Sequence, residues 1–142
     1  MSEIVHQFHI TATPERLYQM IVEREGLIQW WTKDVVAEPI VGSIAQFGFN
    51  HRQHVFKMKI VELEPYKKVK WVCLGENPEW VDTEIVFELI PAAEGTTLNF
   101  SHTNWKSDNG IFSQCKDDWA RYLGSLSSFL EIGKGSPHRD SP

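Results

Sequence analysis

The sequence predicts an α+β domain in which a curved antiparallel sheet packs against one long C-terminal helix. Apolar and polar residues alternate in successive segments between about residues 35 and 105, as expected of half-buried strands. Short connections join these segments, which favours an antiparallel meander. Residues 111–132 instead carry apolar side chains at spacings of three and four, and this stripe is wide enough to cover a sheet.

The N-terminal segment predicts a strand followed by two short helices. Residues 4–10 alternate, and the predicted inward face carries Ile4, His6, Phe8 and Ile10. Thr13 can cap a helix whose first position is Pro14, and Gly26 is predicted to end that helix. Residues 27–31 predict the second helix.

Five further strands are predicted, at residues 43–49, 54–64, 68–74, 80–90 and 96–104. Their inward faces carry mainly large apolar side chains, together with His54 and His102. A single helix about 10 Å wide cannot fill the trough of a strongly curved sheet, so bulky side chains, water or a ligand must occupy the rest. The chain is 12% aromatic and has six tryptophans, a surplus that is typical of a cavity for an apolar ligand.

The C-terminal helix is predicted to end at Gly133. The residues that follow, 134–142, include no large apolar side chain and are predicted to form a disordered tail. The sequence contains no repeat and no internal linker, so residues 1–133 are expected to form a single domain.

Charge and motif content exclude several classes of protein. The chain has 142 residues, with 14 Lys and Arg against 19 Asp and Glu and a formal net charge of −5. This acidic balance argues against a nucleic-acid partner, and no apolar run is long enough to insert across a membrane. Because no secretory signal, metal-binding spacing or cofactor motif is present, we expect a cytoplasmic protein with no metal and no cofactor. The oligomeric state stays open, and Cys73 and Cys115 are expected to act as small hydrophobic side chains.

Several segments carry a resemblance to a known family, and they span residues 3 to about 133. They are the strand that runs into a capped helix at 10–18, the tandem Trp30 and Trp31, residues 61–65 leading into 68–71, the strand 83–89, the hairpin 94–98 and the helix 119–129. The order and spacing of these segments resemble the helix-grip fold of the START-like SRPBCC superfamily. Within that superfamily the chain resembles the branch named after activators of the heat-shock protein 90 ATPase.

The resemblance implies a role in binding hydrophobic molecules, because the superfamily includes lipid and hormone carriers, polyketide cyclases and chaperone cofactors. Chaperone activators of this branch carry an additional N-terminal domain, whereas this sequence begins at the helix-grip domain, so we rank binding ahead of a chaperone role. We predict that the protein binds a lipid, polyketide or aromatic metabolite between the sheet and the C-terminal helix. The alternatives are a co-chaperone-like module that stimulates the ATPase of a protein partner, and a cyclase- or hydrolase-like enzyme that uses the same cavity.

The candidate ligand-binding residues lie on the predicted inward faces. They are Trp30, Trp31, Phe47, Phe49, Phe56, Met58, Trp71, Ile85, Phe87, Phe100, His102, Trp119, Tyr122, Leu123 and Leu126. The resemblance implies a position at the cavity mouth for the tandem tryptophans, and a lid over the sheet edge is the alternative. For an enzyme, the candidate catalytic residues are His102, His6 and Tyr122, and antiparallel pairing of the first and last strands would bring the two histidines together. The alternative is that these histidines are partly solvated at strand ends or bonded to the backbone.

Overall fold

The computed structural model of the protein describes residues 2–108 and 110–138. The elements of these residues are, in chain order, β1 (Ser2–Ile10), α1 (Pro14–Val22), α2 (Arg24–Trp30), β2 (Asp34–Val36), β3 (Ile44–Phe49), β4 (His54–Glu64), β5 (Lys68–Leu74), β6 (Glu84–Ala92), β7 (Gly95–Trp105) and α3 (Ile111–Ile132).

The strands form one antiparallel sheet in the order β1-β7-β6-β5-β4-β3-β2. Consecutive strands from β2 to β7 are neighbours, as the short connections predict, and β1 pairs with β7. β2 has three residues and is too short for alternation to reveal. The long helix α3 packs on this sheet, which confirms the predicted α+β fold of the helix-grip type.

The core between the sheet and the helices is rich in large aromatic rings. Along β5 and β7, buried side chains alternate with half-buried ones, as expected when every second residue faces the core. The largest fully buried side chains include Trp30, Trp71, Trp105, Phe47, Phe87 and Phe100. Within the described residues, no helix combines the length and apolar character that crossing a bilayer requires.

Two predicted helix ends are confirmed. Thr13 Oγ1 accepts a hydrogen bond from the Arg16 backbone N–H at 3.2 Å, and Pro14 is the first residue of α1. At the other end of the chain, Gly133 follows α3 with φ 78°, the left-handed conformation in which glycine ends many helices.

The boundary between α1 and α2 differs from the prediction. α1 ends at Val22, and Glu23 separates it from α2 with the extended angles φ −98° and ψ 141°. Gly26, which was expected to end the first helix, lies inside α2, where a Cβ atom would come within 2.5 Å of Met20 Cα. The missing side chain lets the two helices approach closely, and Trp30 Nε1 donates to the Met20 carbonyl at 2.8 Å.

The alternation predicted that this strand begins at Trp80, but β6 begins at Glu84. Asp82 lies in the preceding turn with φ 68° and donates its backbone N–H to the Cys73 carbonyl at 2.9 Å. The Thr83 hydroxyl tightens the same turn by donating to the Trp80 carbonyl at 2.7 Å. Trp80 therefore lies in the turn that precedes β6, and its backbone N–H donates to the Asn77 carbonyl at 3.0 Å.

The segment after α3, predicted to be disordered, follows a defined path as far as His138. The backbone N–H of Ser136 donates to Ser125 Oγ at 2.6 Å, and that of His138 donates to the Trp31 carbonyl at 2.8 Å. Composition does not indicate this path, because it depends on backbone groups and a serine hydroxyl rather than on apolar side chains. The rest of the predicted tail, 139–142, lies outside the described residues.

Candidate functional site

A cavity of about 560 Å³ lies between α3 and the hairpin of β3 and β4. Its aromatic wall consists of Trp31, Phe49, Phe56, Trp80, Trp119 and Tyr122. Its remaining lining consists of Asn50, His54, Gln114, Cys115, Asp118, Arg121 and His138. Several of these polar residues are exposed, so the cavity has an apolar interior and a polar mouth.

The aromatic wall is built of rings that pack on one another. Phe49 and Phe56 meet edge to face with their centroids 5.6 Å apart, and Phe56 lies 4.9 Å from Trp80. On the other side, the rings of Trp31 and Trp119 are 4.9 Å apart. Such a wall presents both ring faces and ring edges, which are the surfaces that a further aromatic ring prefers to contact.

The turn between β3 and β4 holds part of this wall in place. Residues 50–52 all adopt left-handed backbone angles, with φ of 54°, 54° and 65°. Arg52 donates hydrogen bonds to Asp34 Oδ1 at 2.7 Å and to Gln46 Oε1 at 2.8 Å. These bonds tie the hairpin to β2 and β3, so the phenylalanines at its base have a fixed support.

The polar mouth is organised along one face of α3. Asp118 accepts hydrogen bonds from Gln114 Nε2 at 3.0 Å and from Arg121 Nη2 at 3.2 Å. The Arg121 guanidinium also lies 4.8 Å from the centre of the Tyr122 ring, which is a cation–π distance. The positive and negative charges at the mouth are thus paired with each other, and the pair is next to an aromatic ring.

A buried polar network lies directly behind the wall and is centred on His102, whose exposed fraction is 0%. Trp119 Nε1 donates to His102 Nδ1 at 3.1 Å. An indole nitrogen can only donate, so Nδ1 carries no proton and the proton of the neutral ring is on Nε2. Nε2 then donates to Thr83 Oγ1 at 2.8 Å. Both nitrogens of this imidazole therefore have hydrogen-bond partners within the protein.

Burial determines the protonation of the nucleophilic and basic groups at the site. Burial lowers the pKa of His102 from 6.5 to about 3, so the ring is neutral at physiological pH. Burial also raises the pKa of the Cys73 and Cys115 thiols to about 12, so both remain protonated. These three groups are therefore uncharged at physiological pH and are not activated as a base or as nucleophiles.

The structure divides the predicted ligand-binding residues into two groups. Those at the cavity are Trp31, Phe49, Phe56, Trp119 and Tyr122. The others are outside the lining and at most 1% exposed; they are Trp30, Phe47, Met58, Trp71, Ile85, Phe87, Phe100, His102, Leu123 and Leu126. This second group fills most of the trough between sheet and helix, which confines the open space to one end.

The structure does not bring His6 and His102 together. In the pairing of β1 with β7, Ile4 lies opposite His102, and His6 lies opposite Phe100. The His6 ring is 6.2 Å from the Phe100 ring, and its Nε2 is 3.4 Å from the Lys116 carbonyl oxygen. Tyr122, the third candidate, lines the cavity, and its ring lies 6.5 Å from the Phe49 ring.

Some lining residues were not assigned to the site from the sequence: Asn50, Trp80, Gln114, Cys115, Asp118, Arg121 and His138, as well as His54, which was expected only to face inward. Helical spacing offers a signal for Gln114, Asp118 and Arg121, which border the apolar stripe of α3 at intervals of four and three. The alternation of strands offers none for Trp80, because it lies in a turn. Within the described ranges, no group of three or more His, Cys, Asp or Glu side chains is placed to hold a metal ion.

Comparisons with known proteins agree with this architecture. The sequence model of the family described as Activator of Hsp90 ATPase homolog 1-like protein matches residues 11–131. The solution structure of the Aha1 dimer from Colwellia psychrerythraea shares 38% sequence identity and has a TM-score of 0.89, covering 95% of this chain and 100% of that chain. None of the curated proteins matches the sequence.

More distant solved structures show the same fold. SSP2350 from Staphylococcus saprophyticus is 15% identical with a TM-score of 0.80, covering 99% of this chain and 98% of that chain. DynU16, a protein of the dynemicin biosynthetic locus, is 21% identical with a TM-score of 0.79, covering 95% of this chain and 49% of that chain. The match over residues 11–131 and the 38% identity with the Colwellia protein show that the chain belongs to the Activator of Hsp90 ATPase homolog 1-like family.

Proposed function

We propose that the protein binds a hydrophobic small molecule, such as a lipid, a polyketide or an aromatic metabolite, in the cavity beside α3. The observation that carries this proposal is an aromatic wall around a space of about 560 Å³. Small-molecule sites have volumes of roughly 300–1,000 Å³ and are lined mainly by apolar and aromatic side chains. Transfer of an apolar ligand from water to such a wall is favourable because it removes apolar surface from the solvent.

The lining also favours a particular shape of ligand. A planar or ring-containing body fits the interior, where rings such as those of Phe56 and Trp119 are available for contact. A polar end group fits the mouth, where Gln114 and His54 are exposed. Because Asp118 and Arg121 neutralise each other there, an uncharged polar end such as a hydroxyl or carbonyl suits the mouth better than a strong anion or cation.

The residues behind the wall favour binding over catalysis. The nitrogens of His102 are held by Trp119 and Thr83, and burial keeps its pKa at about 3. A general base needs a free nitrogen within reach of the substrate and a pKa near the working pH. His102 thus meets the requirements of a support for the cavity wall better than those of a catalytic base.

The family is consistent with this proposal, because proteins of this fold bind hydrophobic ligands or act as polyketide cyclases. One protein of the same fold, DynU16, belongs to a biosynthetic locus. We extend to this chain only the common feature, which is an apolar molecule held between the sheet and the long helix.

Native mass spectrometry of the purified protein, followed by denaturing extraction, tests the proposal. We expect a non-covalent adduct that is lost on denaturation, with a mass that identifies the class of ligand. A protein that remains without adduct after incubation with a panel of lipids, polyketides and aromatic metabolites would contradict the proposal.

A second candidate function is the stimulation of a chaperone ATPase, and the observation that favours it is 38% identity with the Colwellia Aha1 protein over nearly the whole chain. The test is the ATPase rate of a purified Hsp90-type chaperone at increasing ratios of this protein. Stimulation by both the wild type and Phe56→Ala would assign that activity to a surface outside the cavity. An unchanged ATPase rate at high ratio would remove this candidate.

A further inference from the structure

We propose that residues 134–138, called the strap below, form a releasable wall of the cavity and control the uptake and release of its ligand. This inference rests on the proposed binding function, which it deepens by naming the part of the chain that regulates access. The strap lies beyond residues 11–131, the part that matches the family's sequence model, so the match assigns it no role.

The strap is attached at both of its ends. Near its start, the Lys134 carbonyl accepts from the Ser128 hydroxyl at 2.6 Å. At its end, the His138 backbone N–H donates to the Trp31 carbonyl at 2.8 Å, and the His138 carbonyl accepts from the Lys33 backbone N–H at 3.2 Å. The strap therefore runs from the end of α3 to the segment between α2 and β2.

The attached strap completes the cavity on the side of Trp31. The His138 ring lies 5.0 Å from the Phe49 ring, and the side chains of His138, Trp31 and Phe49 all line the cavity. Detachment would remove the His138 side chain from this lining and would free the backbone of Trp31 that it holds. The opening would thus lie directly at the aromatic wall.

The position of Gly135 shows how closely the strap is fitted. A methyl group at this position would overlap the Gln29 carbonyl oxygen and would come within 3.1 Å of Ser125 Oγ. That hydroxyl is also the acceptor for the Ser136 backbone N–H at 2.6 Å. Gly135 is therefore required for the strap to pass α2, and one added carbon atom is enough to displace it.

The strap is also built to detach more easily than its surroundings. None of its residues is buried, whereas Trp31 and Ser125, to which it bonds, are buried. Segments that are held by hydrogen bonds, with little buried apolar surface, open locally at much lower free energy than the core. Release of the strap thus leaves the sheet and α3 intact.

The test compares Gly135→Ala with Gly124→Ala. Gly124 lies in α3, and a methyl group there would meet no atom within 4 Å, so the control adds the same carbon without displacing anything. Hydrogen exchange at the Lys33 and His138 amides reports detachment. The dissociation rate of Nile red, a neutral planar dye, reports ligand release. Modification of Cys115 by methyl methanethiosulfonate reports access to the cavity without any ligand.

We expect the Lys33 and His138 amides to exchange faster in Gly135→Ala than in the wild type and Gly124→Ala. Gly135→Ala should also release Nile red, and react at Cys115, about five- to tenfold faster than these two proteins. Cys73, fully buried in the core, reports global unfolding and should react no faster in Gly135→Ala than in the wild type. Ser125→Ala, which removes only the acceptor of Ser136, should show the same changes to a smaller degree.

Faster exchange at the strap with unchanged Nile red release and unchanged Cys115 reaction would overturn the inference, and so would unchanged exchange in Gly135→Ala. Failure of the proposed function has a different signature. The wild type would then not bind Nile red, while the Cys115 reaction would still show whether the strap controls access.

Discussion

The indole N–H of Trp119 donates to Nδ1 of His102 at 3.1 Å, and this bond links the wall of the cavity to the buried centre of the sheet. Trp119 also packs on Phe100, with the ring centroids 4.5 Å apart. Packing restricts the plane of the indole, and the hydrogen bond fixes its rotation. The orientation of a ring that a ligand would contact thus depends on a histidine that the ligand does not reach.

Replacement of His102 should affect both stability and binding. In His102→Leu, Trp119 Nε1 and the Thr83 hydroxyl lose a partner, which should lower the free energy of unfolding by about 1–3 kcal/mol. The affinity for Nile red should also fall, because the indole is no longer fixed. Denaturant unfolding and a dye titration measure these effects.

The control for His102→Leu is Leu98→Ala, which truncates another buried side chain of β7 that is outside the network. It should lower stability by at least as much, about 2–5 kcal/mol, and the affinity for Nile red should remain as in the wild type. Equal loss of affinity in both variants would mean that His102 acts only through stability.

The low pKa of His102 predicts a specific dependence of stability on pH. The imidazole has a pKa of about 3 in the folded protein and its ordinary pKa of 6.5 in the unfolded chain, so between these limits the unfolded chain binds more protons. The contribution of His102 to the free energy of unfolding is fully present above about pH 6.5 and is lost as the pH falls toward 3. Over this range the unfolding equilibrium constant rises by up to about tenfold for each pH unit of decrease. The free energy of unfolding of His102→Leu should therefore fall less steeply between about pH 6 and pH 4 than that of the wild type. If the free energy of unfolding fell equally steeply with pH in the wild type and in His102→Leu, the low pKa of His102 in the folded protein would be contradicted.

Two glycines that both lie in helices should respond in opposite ways to alanine. In Gly124→Ala the added methyl group meets no atom, so the higher helix propensity should stabilise the protein by up to about 1 kcal/mol. In Gly26→Ala it would come within 2.5 Å of Met20 Cα, so α1 and α2 must separate and the protein should be destabilised. Thermal unfolding of the two variants checks the signs, and a stabilised Gly26→Ala would contradict the packing of these helices.

The high pKa of the thiols predicts slow alkylation. Burial raises the pKa of Cys73 and Cys115 to about 12, so the reactive thiolate is scarce near neutral pH. In the folded wild type both should react with iodoacetamide much more slowly than a free thiol, and Cys115 should react before Cys73 because it is less buried. Mass spectrometry after timed quenching measures both rates. Reaction of Cys115 at the rate of a free thiol would show that the cavity wall activates it.

Much of the fold could be predicted because it follows from periodicity. Alternation located the central strands, and the spacing of Trp119, Tyr122 and Leu126 located α3. Features that depend on close approach rather than on periodicity were not visible, such as Gly26 inside α2 and Gly135 in the strap.

The candidate site was less predictable than the fold. Some inward-facing strand residues in this fold belong to the packed core and others line the open cavity. The alternation of a strand shows that a residue faces inward, but it does not show to which of these two groups the residue belongs. Phe47 and Phe49 lie on the same face of β3, yet only Phe49 lines the cavity. The difference arises from the indole of Trp31, which stacks on Phe47 at 4.1 Å and fills the space above it.

The most direct test of the central claim is the affinity for Nile red of the wild type, Phe56→Ala and Phe112→Ala. Both phenylalanines are half-buried, but Phe56 lines the cavity and Phe112 packs edge to face on Trp105, 5.4 Å away, outside the lining. We expect the wild type and Phe112→Ala to bind alike, and Phe56→Ala to bind roughly tenfold more weakly, since one lost ring contact is worth about 1.4 kcal/mol. Equal affinities in all three proteins, or no binding by the wild type, would contradict a ligand site in this cavity.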